Sequence, residues 1–153
     1  ISAYDPRVVE VTGISMMLTA QGADHTTGNV PAYDCKDKTT EELVAVSLEA
    51  QVASAAVDSL GLCIFGRSVT NVSAELIVTA LNDAHGTALE PSFIQTLGLE
   101  ALRMEWEFNK AAGFTEADDE LPALFYTEPL APTGKIARHH SAQVNRRLRE
   151  LLA

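Results

Sequence analysis

One stretch constrains this chain more than any other. From Thr39 to Ser59 there is neither Gly nor Pro, and Thr39-Thr40-Glu41-Glu42 opens it in the S/T-x-x-E form. In that form the hydroxyl accepts a free backbone N–H while the Glu side chain reaches back to the cap, so a helix start is predicted at Thr39. Gly61, able to take positive φ, ends it. Leu43, Val46, Ala50, Ala53, Val57 and Leu60 recur at three-to-four spacing, and Ala and Ser elsewhere allow close neighbours. A long helix of this kind must pack against others, and nowhere do β-branched residues alternate long enough to demand a sheet.

The remaining elements read as helices and the loops between them. Arg7 to about Thr19 follows Pro6; its Val8, Val9, Val11, Ile14, Met17 and Leu18 are too many for one narrow stripe, so burial on several sides is expected. A polar, Gly-containing loop runs from Gln21 to Lys38, and loops of that length usually carry function or move. A third helix opens at Ser73 and closes at Gly86, with Leu76, Ile77, Ala80 and Leu81 on its apolar side. A fourth spans Pro91 to Gly113, divided at Gly98, with Leu99, Leu102, Trp106 and Phe108 turned inward. Gly113 to Thr133 is loop, and the last helix runs from about Arg138 to Leu152 with Val144, Leu148, Leu151 and Leu152 on one side. The fold class is all-α, an irregular multi-helix orthogonal bundle with long loops. At 153 residues and 46% hydrophobic, the chain can bury one core. It reads as a single helical domain or fragment over 1–153, with 1–38 either part of it or the end of a preceding helical subdomain.

Composition removes several function classes. The chain opens on Ile1 with no charged-then-apolar leader, so no signal peptide is expected. The Ala/Val-rich stretch from Leu43 to Leu62 is interrupted by Glu49, Gln51 and Asp58, so no membrane span and a soluble protein are expected. A net charge of −10 repels phosphate backbones and argues against nucleic acid. The exception is the tail, where Lys135, Arg138, Arg146, Arg147 and Arg149 stand against Glu150. It reads first as a solvated helix face and second as a docking patch for an acidic partner. The two cysteines, Cys35 and Cys63, make no disulfide framework and no zinc spacing, which fits a reducing, cytoplasmic setting.

Two places could carry chemistry. DSLGLC, Asp58 to Cys63, lies where the long helix stops, with a carboxylate and a thiol on either side of one turn. A carboxylate there can accept from ring and amino N–H groups, and a thiolate can bind soft iron. On local sequence alone the plainer alternative is a helix end with a small buried cysteine. The second place is Gln21-Gly22-Ala23-Asp24-His25, where an imidazole can move protons near neutral pH and a neighbouring carboxylate can fix its tautomer; the alternative is a loop histidine bonded to backbone. His85 before Gly86 complements a helix end, and His139 and His140 read as structural residues pointing to different faces of a helix. No GxSxG, GxGxxG or GxxxxGK[ST] is present, so hydrolase and nucleotide readings have no motif behind them.

Taken in order, AYDPR at Ala3 to Arg7, GADH at Gly22 to His25, DSLGLC at Asp58 to Cys63, WEFNKAAGF at Trp106 to Phe114 and DDELP at Asp118 to Pro122 resemble the C-terminal part of the aldehyde ferredoxin oxidoreductase family. The resemblance covers Ala3 to about Pro132, and DxxGLC is its most specific element. It implies a parent enzyme that oxidises an aldehyde to a carboxylate at a tungsten (or molybdenum) bis-pterin centre, passing electrons through a [4Fe-4S] cluster to ferredoxin. Carried over residue by residue, Asp58, Gly61 and Leu62 would contact pterin, Cys63 would ligate the cluster and His25 would give or take a proton. The family's N-terminal β-rich domain, its CxxCxxxC triplet and its first DxxGLC copy have no counterpart here. The resemblance therefore implies a C-terminal piece, partnered by that N-terminal domain, inactive and without bound cofactor by itself, with a homodimer left open. His139 to Ala153 does not match the family's usual ending and reads as specific to this member. The alternatives are a non-catalytic helical scaffold or interaction module, and a related tungsten enzyme that reduces a carboxylate or thioester.

Overall fold

A computed structural model describes residues 4–28, 30–66 and 73–152. Six α-helices and one short 3-10 turn are present, with no strand among the described residues: α1 Glu10–Leu18, α2 Thr40–Ser59, the 3-10 turn Ile64–Gly66, α3 Ala74–His85, α4 Ser92–Ala111, α5 Leu124–Thr127 and α6 Ser141–Leu152. The all-α reading holds.

The long central helix starts as its sequence dictates. Glu42 N–H donates to Thr39 Oγ1 at 3.2 Å and Thr39 N–H to Glu42 Oε2 at 2.9 Å, the reciprocal capping box. Its buried line differs from the apolar one. Leu43, Val44, Ser47, Gln51, Val52, Ala56 and Val57 are buried, while Val46, Ala50 and Ala53 are only half-buried. Two polar side chains of α2 enter the core on hydrogen bonds: Ser15 and Ser47 hydroxyls lie 2.7 Å apart and Gln51 Nε2 donates to Ser47 Oγ at 3.0 Å, while Gln51 Oε1 is buried without a partner among the described residues. The core is formed by α1, α2 and α6, with Ile14, Met17, Leu43, Val44 and Val144 essentially inaccessible.

Several boundaries move. Arg7 does not begin α1: Val8 and Val9 N–H groups both turn back to Asp5 O, and the helix proper opens at Glu10, buried throughout from Val11 to Leu18. Gly98 does not divide the fourth helix, which is continuous from Ser92 to Ala111. The glycine is there because α4 crosses α2 backbone to backbone; a Cβ at 98 would stand 2.0 Å from Val52 O. Leu76 and Phe108, expected inward, are 61% and 73% exposed. The Gly113–Thr133 loop contains the single turn α5, and the last helix begins at Ser141 rather than Arg138. His139 and His140 therefore precede that helix instead of sharing its faces.

Candidate functional site

The turn that ends α2 is built by three backbone bonds. Leu60 N–H donates to Ala56 O at 3.1 Å, Gly61 N–H to Asp58 O at 3.0 Å and Leu62 N–H to Val57 O at 2.9 Å. The last two form the Schellman pair, which needs a left-handed residue between them; Gly61 supplies it with φ of 65°. Carbonyls that would otherwise be orphaned are satisfied, so the turn is held by its own backbone and its side chains are left to face outward. Asp58, Gly61, Leu62 and Cys63 are all exposed, and Gly66 N–H closes onto Cys63 O at 2.8 Å to start the 3-10 turn. The alternative of a small buried cysteine does not apply within this chain, because Cys63 is a free, exposed thiol.

His25 lies in a separate loop that is fastened to the same helix. Thr27 and Gly28 are buried, and Gly28 rests so closely on α2 that a Cβ there would meet Gln51 Cγ at 2.6 Å. Gln51 precedes Asp58 by roughly 10 Å of helix axis at 1.5 Å per residue. The imidazole is exposed and lies 5.7 Å, centroid to centroid, from the Tyr4 ring, so the first two motifs meet there. Asp24 does not fix its tautomer. Its carboxylate takes the Thr26 N–H at 2.8 Å and the Thr26 hydroxyl at 2.7 Å. Burial pushes the Asp24 carboxyl up, but these bonds outweigh it and hold it below the ordinary carboxylate range.

The other three motifs prove to be positioning devices. In AYDPR, Arg7 is held by Asp5 through Nε at 2.9 Å and Nη2 at 2.6 Å, donates Nη1 to Glu128 O at 2.7 Å and lies 5.3 Å over the Phe125 ring. That bond from Arg7 is the main reason the Asp5 carboxyl is lowered. In WEFNKAAGF, Trp106 Nε1 donates to Leu18 O at 2.7 Å and Asn109 Nδ2 to Ala20 O at 2.8 Å, so α4 fixes the chain as it leaves α1 for the His25 loop. In DDELP, Asp119 accepts from Asn145 Nδ2 at 3.1 Å, and Glu120 Oε2 accepts the Ser141 N–H at 3.1 Å and hydroxyl at 2.9 Å, capping α6. Glu120 also accepts a hydrogen bond from the Tyr126 hydroxyl, and the Tyr126 ring stacks on His140 at 4.4 Å. Burial, then Glu120, pushes the Tyr126 hydroxyl far above its ordinary value. Neither the Glu120–Tyr126 bond nor the buried Ser15–Ser47 contact is legible in the sequence: the first depends on the irregular turn between DDELP and α5, and the second joins residues 32 apart on two helices.

The turn fits a soft metal cluster and a pterin in kind, one exposed thiol and one exposed carboxylate on a rigid frame, but not in number. No group of three or more His, Cys, Asp or Glu that could hold a metal ion occurs among the described residues. No helix among them is long and apolar enough to cross a membrane.

Among its described residues the chain is all-α, and it presents an exposed thiol at the Schellman turn that ends α2. The family model described as aldehyde ferredoxin oxidoreductase, domains 2 & 3, matches residues 1–153, and the chain belongs to that family of oxidoreductases. The match runs through the basic tail, so His139 to Ala153 lies within the family's extent rather than outside it. Neither the curated proteins nor the solved structures give a match.

Proposed function

We propose that this chain serves as domains 2 and 3 of a longer oxidoreductase that converts aldehydes to carboxylates, with ferredoxin as electron acceptor. The reading rests on the family match and is carried by one observation, the exposed Cys63 on its self-satisfied turn. When bound, a tungsten or molybdenum bis-pterin with a [4Fe-4S] cluster supplies the two-electron chemistry. Cys63 contributes one thiolate to the cluster, and the remaining ligands come from the N-terminal part, since one thiolate cannot hold four irons. Asp58 accepts N–H groups of the pterin, Gly61 lets that ring approach the backbone with no side chain in the way, and the exposed Leu62 side chain packs beside it. His25, exposed and attached to α2 through Gly28, takes or gives the proton that accompanies addition of oxygen to the aldehyde carbon. A reducing, cytoplasmic setting keeps the exposed thiol available.

Metal analysis of the full-length protein, with and without Cys63→Ala, tests the assignment. The variant is expected to lose most of its iron while keeping its helical circular dichroism; unchanged iron would remove Cys63 from the cluster.

A further inference from the structure

Between the loop that carries His25 and the turn that carries Cys63 lies a cleft of about 520 Å³ to which no role has yet been given. Its floor is the face of α2 formed by Ala50, Ala53, Ser54 and Val57, spaced to share one side of the helix. Its wall is formed by Gly28, three residues beyond His25, and by Val30, Pro31, Ala32 and Tyr33, and Ile64, next after Cys63, also lines it. This is the apolar face that the sequence predicts for α2 and that neither α1 nor α6 covers: one turn earlier the same helix is sealed by the Ser15–Ser47–Gln51 line. The volume lies in the range of pockets for small organic molecules, about 300–1,000 Å³, and is too small for a helix. Among the described residues that line it none is charged, and the polar side chains are those of Ser54 and Tyr33.

Resting on the aldehyde oxidoreductase reading above, we propose that this cleft seats the apolar side chain of the substrate. The methyl groups of Ala50 and Ala53 then set how large a chain is accepted. The described lining rewards aliphatic and aryl groups and offers a phosphate or carboxylate no charged partner, so phosphorylated and acidic aldehydes are discriminated against. Small residues on the floor leave the volume open, and a larger residue at Ala53 would fill it from below. Filling it removes contact with several methylenes at once, each of which can be worth about tenfold in specificity.

The test uses the full-length, metal-loaded enzyme with acetaldehyde, hexanal and glyceraldehyde 3-phosphate. Wild type is expected to prefer hexanal to the phosphorylated aldehyde in kcat/KM. Ala53→Phe, or Ala53→Leu should the larger residue fail to fold, is expected to lower the hexanal-to-acetaldehyde ratio by about tenfold or more. Ala84→Phe, exposed on α3, is expected to leave that ratio alone. An unchanged ratio in a loaded Ala53 variant, or a preference for the phosphorylated substrate, overturns the proposal. A loaded enzyme that oxidises none of the three sinks the aldehyde reading instead. The cleft is then judged by saturation transfer from the same enzyme to 1-hexanol: transfer that Ala53→Phe abolishes supports an apolar pocket, and no transfer removes it.

Discussion

His139 is 5% exposed, and its two ring nitrogens have different fates. Nδ1 lies 2.9 Å from Thr40 Oγ1, while Nε2 is buried without a hydrogen-bond partner, 3.8 Å from Glu10 Oε2 and too far to bond it. Burial first, then the Arg138 guanidinium, hold the imidazole below its ordinary value of 6.5. The unfolded chain therefore takes up the proton before the folded one does. Stability is fully present above the unfolded value and falls as pH drops from about 6.5 toward the lower folded value. Melting temperature measured from pH 7.5 down to 5.5 is expected to decline in the wild type and to flatten in His139→Asn, which keeps a donor for Thr40. Parallel slopes would sink the idea. Glu120 is the other residue whose loss is local and legible, because it answers Ser141 and Tyr126 together. Glu120→Ala leaves the Ser141 N–H and hydroxyl without their acceptor, while the Tyr126 hydroxyl keeps His139 O at 2.9 Å, and is expected to cost about 2 kcal/mol. Urea unfolding reads the loss, and hydrogen exchange should show the first turn of α6 opening earliest.

Among the elements, the crossing of α2 and α4 has the least tolerance. The atoms facing Gly98 are backbone, which cannot rotate away, so Gly98→Ala is expected to destabilise by about 3 kcal/mol, the upper end of overpacking costs, despite the better helix propensity of Ala. Urea midpoints within error of wild type would show that the helices can separate cheaply. This position also shows what the sequence could and could not tell. Thr39, Glu42 and Gly61 act within a few residues, through capping and a left-handed turn, and were readable as they stand. Gly98 reads as a break because propensity sees only its own helix, whereas its reason is the carbonyl of Val52 on another. Ser47 and Gln51 escaped for the same cause: polarity places them outside, and only a partner on α1 takes them in. The exposed cysteine turn was legible as a motif, but its exposure was not, since exposure depends on what the rest of the chain leaves uncovered. The parts of the expectations that fall on Ala3, Asn29 and Ala153 lie outside the described residues.

At the scale of the whole molecule, the basic tail is less available for docking than its sequence implies. Arg138 grips Glu10 through two bonds of 2.7 Å, Arg147 pairs with Glu150 at 2.9 Å, and Arg149 pairs with Glu116. Arg146 is exposed and joins no ion pair among the described residues. With its neighbours so committed, Arg146→Glu is expected to change ferredoxin reduction by less than about twofold and to leave its salt dependence intact. A tenfold slowing that high salt erases would instead put the docking face on α6.

The tight crossing at Gly98 also acts on the cysteine turn from a distance. Val52 is a fulcrum, and the stretch of α2 beyond it, to Leu60, is a lever arm of about 12 Å. A tilt of roughly 10° there would swing the sulfur by about 2 Å, several times the ~0.5 Å within which a functional constellation must be held. Variants that lose their iron should therefore turn up at Gly98 and its surroundings as well as at Cys63, in residues that never touch a metal.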